Sequence, residues 1–309
     1  MILLAGSALT ACSVRSSSDR SVAAASTTTV ATAVGAPDPV PEVVTRLTGN
    51  RLPSPLALAD GDAWLGMHAL EGDRPVIRLE RRAFDSGALI GTVDVPQEGG
   101  FAMASYKDVV YLVGGGDGAV PETTISALDA RDESVVFTRA LETPCSCAIA
   151  VNDAGVWLGA NGGNYLVRAD RETGKQVAEI ELPRAAITIS ADEEFVRAAL
   201  DDGTTALVDP ATNAIAEISP VDPTGLTFTP RSTAVAGDGT WSVGAGNRIA
   251  RTRDGDTTTY ILQPDDTFDQ GADELQFASS QYGFDQVVGD ANRLWIAQQG
   301  AVLVVEIPA

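Results

Sequence analysis

The 309-residue sequence predicts an all-β protein built as a closed ring of six repeated units. One pattern returns six times: an apolar stretch, a turn containing Asp or Gly, then an aromatic-centred strand. It reads LALADGDAWLG at 56–66, FAMASYKDVVYLVG at 101–114, CAIAVNDAGVWLG at 147–159, AITISADEEFVRA at 186–198, STAVAGDGTWSVG at 232–244 and DQVVGDANRLWIA at 285–297. Trp64, Tyr111, Trp157, Val196, Trp241 and Trp295 are assigned equivalent places, at spacings of 47, 46, 39, 45 and 54 residues. The apolar residues, 44% of the chain, sit in short runs, as strands require. A period of roughly 40–50 residues with several strands per unit is the signature of a β-propeller, here six-bladed with four antiparallel strands per blade.

The third unit shows the blade most plainly. Cys147–Val151 forms a first strand and the run around Val156–Leu158 a second. Ala160–Asn164 (ANGGN) turns the chain, because Gly and Asn accept positive φ. Tyr165–Ala169 forms a third strand, Asp170–Lys175 (DRETGK) a hairpin loop and Gln176–Leu182 a fourth strand. This unit resembles the YVTN-type propeller repeat of bacterial surface and quinoprotein-like proteins. The resemblance rests on Val156-Trp157-Leu158, Asn161, Asn164, Asp170, Thr173-Gly174-Lys175 and Val177. Blade four keeps Val208-Asp209-Pro210-Ala211-Thr212-Asn213, and blade two keeps Leu128-Asp129-Ala130-Arg131-Asp132. It implies a fold and leaves activity open, because one fold hosts many functions.

Blade limits fall near 55–96, 100–143, 144–183, 184–221, 225–264 and 265–309. The last unit runs out of chain one strand short. Glu42–Leu47 (EVVTRL) resembles an outer strand such as Gln176–Ile180, and is expected to close the ring by pairing with blade six. Without it, the strand ending at Ile307 would be an open edge, which invites aggregation. The acidic segment 265–283, with Phe268, Phe277 and Tyr282, is an insertion. It reads either as a loop packing over the ring's face or as a partner-binding lid.

The N-terminus has another composition. Met1–Ala11 is apolar and ends in small residues, and Leu9-Thr10-Ala11-Cys12 resembles a bacterial lipobox, in which cleavage before Cys is followed by lipid attachment to its sulfur. No Lys or Arg precedes Arg15, although a signal peptide begins with a positive region; this points to a start codon placed too late or a shortened chain. The expected organisation is a signal peptide at 1–11, lipidated Cys12 with a disordered tether to residue 40, and the propeller at 41–309. Residues 13–40 are Ser, Thr, Ala, Val and Pro with little charge, too poor in burial to offset chain entropy. A flexible tether of that length reaches roughly 30 Å. The expected location is the extracytoplasmic face of the cell membrane, held by the lipid alone.

The formal net charge is −21, and two of the cations are lysines, Lys107 and Lys175. That excludes a nucleic-acid binder, which needs a basic face, and broad docking on anionic headgroups.

Few residues carry a chemical signature. His68, the single histidine, is expected in a turn with Glu71 and Asp73, so multi-histidine metal sites from this chain alone are excluded. Cys145 and Cys147 flank Ser146 and form a possible disulfide, which a C-x-C spacing closes only with a backbone turn. The acidic turns at Asp201-Asp202-Gly203 and Asp254-Gly255-Asp256 lack the twelve-residue pattern of an EF-hand. Loops joining second to third strands gather at one end of a propeller. They are expected to bring His68, Asp117, Asn161, Asn164, Asp201, Asp202, Asn247 and Gln298 around an axial, acidic-rimmed pocket.

No catalytic constellation, resident cofactor or metal is assigned. The favoured function is a monomeric binding or scaffold lipoprotein whose partner is an envelope protein or a small ligand. The alternative is an extracytoplasmic propeller enzyme, a lyase, hydrolase or quinoprotein-like oxidoreductase. Axial carboxylates would serve as acid and base there, with or without a metal.

Overall fold

The computed structural model describes residues 40–48, 55–71, 74–97, 102–115, 123–144, 148–159, 163–220, 230–244, 248–263, 268–270, 284–298 and 301–307. All lie in the compact unit Pro39–Ala309. Cys12, the tether through residue 39, Cys145 and Cys147 fall outside the described residues.

The described strands form six antiparallel sheets. Strand β1 (Glu42–Thr48) precedes the blades. Blade one is β2 (Leu56–Ala59), β3 (Asp62–Glu71), β4 (Arg74–Ala83) and β5 (Leu89–Val95). Blade two is β6 (Ala102–Tyr106), β7 (Val109–Gly115), β8 (Thr123–Asp129) and β9 (Ser134–Ala140). Blade three is β10 (Ala148–Asn152), β11 (Gly155–Gly159), β12 (Tyr165–Ala169) and β13 (Gln176–Glu181). Blade four is β14 (Ala186–Ala191), β15 (Val196–Leu200), β16 (Thr205–Asp209) and β17 (Ala214–Ser219). Blade five is β18 (Pro230–Ala236), β19 (Gly239–Gly244), β20 (Arg248–Arg253), β21 (Asp256–Leu262) and a short β22 (Phe268–Gln270). Blade six is β23 (Phe284–Gly289), β24 (Arg293–Gln298) and β25 (Ala301–Glu306). First strands touch their neighbours in the order β2, β6, β10, β14, β18, β23 and back to β2, which makes a closed ring. The molecule is a six-bladed β-propeller.

The ring closes through β1, as expected. It pairs antiparallel with β25 from Glu42↔Glu306 to Thr48↔Ala301, with a register shift between Val43 and Thr45. Val43 and Leu47 pack inward against the clusters on either side of blade six, whereas Val44 points to solvent.

Local sequence explains the turns. Asp60 and Gly61 both take positive φ, as do Asp254 and Gly255, the pattern of a two-residue hairpin turn that matches strand twist. In blades one to four the third-to-fourth connections end instead in one left-handed residue, Gly87, Glu133, Gly174 or Asn213. Each is followed by a register shift in the outer pair, a bulge that adds twist. A Cβ on Gly174 would stand 2.4 Å from the Phe137 ring of the preceding blade, so this turn also needs Gly for space.

The core lies between blades rather than within them. Buried apolar clusters join blades one and two, two and three, three and four, five and six, and six and one. The four tryptophans are 0–1% exposed and face the next blade, with Tyr111 in the same role. Each such aromatic stands two residues beyond the pair that closes the first hairpin of its blade.

Two expectations fail here. In blade four the hairpin closes at Asp192 and Phe195, whose N–H···O bond is 3.0 Å, so Arg197 and not Val196 holds the aromatic position. Side chains alternate across a strand, and the one-residue slip turns Val196 back toward blade three, where it is fully buried. Nor is the insertion at 265–283 simply a loop over the face. Phe268–Gln270 pairs with β21 as a fifth, outermost strand, and residues 271–283 lie outside the described part.

Candidate functional site

Antiparallel alternation sorts the connections. First-to-second and third-to-fourth connections lie at one end of the ring, the turn end. Second-to-third and blade-to-blade connections lie at the other, the loop end. Between the ends runs the axis, lined by the inner edges of the first strands, whose peptide groups need partners.

Side chains from neighbouring blades supply several. Gln286 of β23 accepts from the Leu56 amide at 2.8 Å and donates to the carbonyls of Leu56 and Met103, the latter at 2.6 Å. One amide thus ties blade six to blades one and two. Ser232 of β18 accepts from the Val287 amide at 3.1 Å, and the Ser105 hydroxyl of β6 donates to the Leu58 carbonyl. These residues serve ring closure, and sequence patterning did not single them out.

Of the eight residues expected around the axial pocket, five are among the described residues. Asp117, Asn161 and Asn247 fall outside the described residues. His68 is in β3, paired with Ile77, and not in a turn; the first hairpin pair of blade one continues to Glu71↔Arg74, so Glu71 is also in a strand. Gln298 is the last residue of β24, paired with Phe284 and Ala301, and not in a loop. Asn164, Asp201 and Asp202 do occupy second-to-third connections at the loop end and are exposed. Asp201 accepts from Arg184 at 2.9 Å. Asp202 accepts from the Thr204 hydroxyl at 2.7 Å and its amide at 2.9 Å, and these bonds hold its pKa below the usual carboxylate value. The Asn164 carbonyl accepts from the Leu182 amide at 2.7 Å.

Among the described residues, the turn end carries a dense polar construction. In the first hairpin of blade three, Asn152 Oδ1 accepts from the Ala154 amide and from Trp157 Nε1, both at 3.0 Å, while Nδ2 donates to the Asp192 carbonyl of blade four at 2.8 Å. Asp192 and Asp290 cap the same turn in blades four and six. In blades one, three and five an arginine on the third strand lies over the tryptophan beside it: Arg81 over Trp64 at 5.7 Å, Arg168 over Trp157 at 5.3 Å and Arg251 over Trp241 at 5.6 Å. Arg81 continues to Asp60, Asp62 and, in blade two, the Ala130 carbonyl and Glu133. Arg168 reaches the Pro210 carbonyl and Asn213 of blade four, each at 2.8 Å. These links staple one blade to the next. Their sequence signal was present: each arginine lies two or three residues before the outer turn of its blade.

Electrostatically, the described carboxylates with a shifted pKa all move down: Asp94, Asp153, Asp170, Asp192, Asp202, Asp209 and Asp238. Asp238 goes furthest, to about 2, because Arg253 and then Arg251 donate to it. Carboxylates held ionised in this way suit turn capping and ion pairing; none of these seven holds a proton near neutral pH. Burial pushes the Tyr111 phenol up to about 12, and its hydroxyl donates to the Arg171 carbonyl of blade three. Among the described residues, no three His, Cys, Asp or Glu side chains gather as metal ligands.

Solved structures share this architecture. The Pan2 WD40 domain of Neurospora crassa superposes with a TM-score of 0.53 at 10% identity, over 83% of this chain and 90% of that one. BamB from Moraxella catarrhalis gives a TM-score of 0.46 at 16% identity, over 86% and 100%. The likeness to the Pan2 domain is one of fold alone, and the class of protein is a β-propeller. No family model matches the sequence, and no curated protein matches it.

Proposed function

We propose that this chain is a binding or scaffold module, anchored through Cys12 to the extracytoplasmic face of a bacterial membrane and presenting its propeller to an envelope protein or small ligand. The observation that carries the binding reading is the use of the described polar groups. Asp, Asn and Arg side chains at the turn end cap turns and join blades, and the shifted carboxylates stay ionised. Such groups stiffen a display surface and are not set up to exchange protons with a substrate. The anchoring reading rests on Leu9-Thr10-Ala11-Cys12 and the low-complexity stretch that follows. The likeness of blade three to YVTN-type repeats fits a surface location.

Both halves are testable. Expressed behind a complete signal sequence, the protein should label with radioactive palmitate and sediment with membranes, and Cys12→Ala should do neither. Retention of lipid label by Cys12→Ala refutes the anchor. In-cell crosslinking from the propeller should give a defined one-to-one adduct with an envelope protein, or saturable binding of one small ligand by the purified ring. Turnover of a substrate by the purified protein would overturn the scaffold reading.

A further inference from the structure

We infer that the ring has a built-in opening between blades four and five, and that these two blades part while the other five seams stay closed. The inference starts from structurally equivalent positions. On the face each blade turns to the next one, the second strand carries an aromatic and the third strand an apolar partner one step inward. The pairs are Trp64 with Leu79, Tyr111 with Ile125, Trp157 with Leu166, Trp241 with Ile249 and Trp295 with Val302, all buried. Blade four places Arg197 and Thr205 there. The Arg197 side chain is 43% exposed and turns away to pair with Asp192 of its own hairpin.

Among the described residues, the opposing wall has polar residues at two equivalent places, beside the buried Ala250 and Ile261. On the face each blade turns to the preceding one, the second strand begins with Ala63, Val110, Val156, Val196 or Leu294, each at most 1% exposed. Blade five has Thr240, which is exposed, and two residues on it has Ser242 where the others have Leu65, Leu112, Leu158, Ala198 and Ile296. Among the described residues, the buried apolar clusters bridge the remaining seams. Each of those seams also has a direct side-chain or backbone bond across it: Arg81 to Ala130, Tyr111 to Arg171, Arg168 to Pro210, Gly237 to Asp290, and Trp295 to Phe84.

Apolar burial is what resists separation of two sheet faces in water, and paired polar walls regain their solvent partners when they part. Strand ladders run within blades and survive such a parting, so opening here leaves secondary structure intact. The terminal-strand closure at blade six is not the soft point, because β1 is laddered to β25 and flanked by two apolar clusters.

Ala250 and Ala206 provide a matched test. They occupy equivalent places on the third strands of blades five and four, both are 0% exposed, and they face seams four–five and three–four respectively. Ala250→Cys and Ala206→Cys in the full chain are exposed to a thiol reagent without denaturant, and modification is read at each position by peptide mass, so native cysteines do not interfere. Cysteine at 250 should react at least about tenfold faster than at 206, at a rate little changed by low urea, as expected of sub-global opening. Equal rates, or a rate at 250 that follows global unfolding, would overturn the inference. If either variant fails to fold, Ser242→Cys and Ala198→Cys form a second equivalent pair read the same way.

Discussion

The seam between blades three and four and the seam between four and five share a sheet, yet they are built of different materials. At the first, Ala150, Trp157 and Leu166 meet Val196, Ala198, Ala206 and Val208, all buried, with Asn152 and Arg168 bonding across. At the second, Arg197 and Thr205 look toward Thr240 and Ser242. Blade four is thus apolar on one face and mixed on the other, where Leu207 and Ala199 stand beside Arg197 and Thr205. A propeller's blades can be alike in backbone while the energy that holds them together is distributed unevenly around the ring.

The comparison can be broken first at the closure. Deleting residues through Thr48 removes β1, the inward burial of Val43 and Leu47, and a ladder of six residue pairs. Full burial of such side chains contributes about 1.5–3 kcal/mol each, and the usual margin is about 5–15 kcal/mol. This truncation should melt far lower and aggregate, whereas deletion of residues 1–38 should leave the melt unchanged. Equal melts would show that the ring does not depend on β1.

Within the seams, Trp157→Ala should cost about 3–5 kcal/mol in urea unfolding, the usual toll for emptying a large buried site. Asn152→Ala strands the Trp157 Nε1 and Ala154 N–H donors and should cost about 2–3 kcal/mol. Arg197→Ala, which removes a half-exposed ion pair, should cost less than about 1 kcal/mol. Comparable losses from Trp157→Ala and Arg197→Ala would erase the distinction between the two seams.

The smallest effect is a titration. Asp238 has a folded pKa of about 2, below its unfolded value. Its contribution to stability is therefore present above the unfolded carboxylate range and is lost as pH falls toward 2. Carboxyl NMR should place its midpoint near 2 in the native protein, and Arg253→Ala should move it upward. An ordinary Asp midpoint in the native protein would contradict the pairing with Arg253 and Arg251.

Much of this architecture was legible in the sequence. Six turns with a fixed motif gave the blade count, and EVVTRL gave the closing strand, because an alternating outer-strand pattern preceding blade one had no other edge to satisfy. The error at Val196 came from matching residue size instead of register. Counting five residues on from the first hairpin's leading residue, Asn152 to Trp157 or Asp290 to Trp295, leads from Asp192 to Arg197. The candidate site was less legible. His68 was assigned to a turn because Glu71 and Asp73 follow it, but β3 and β4 are ten residues each and carry the ladder past it. Gln286 and Ser232 gave no signal, since their role depends on which backbone edges the closed ring brings together.

The most direct test of unequal seams is the urea midpoint of the double variant Thr205→Leu, Ser242→Leu. If the four–five seam is as loosely and polarly filled as its residues indicate, the added apolar groups find room. The midpoint should then rise at unchanged m-value. If the seam is already close-packed like its five counterparts, the same groups overfill it, and overpacking costs about 1–3 kcal/mol. A fall in the midpoint would contradict the account.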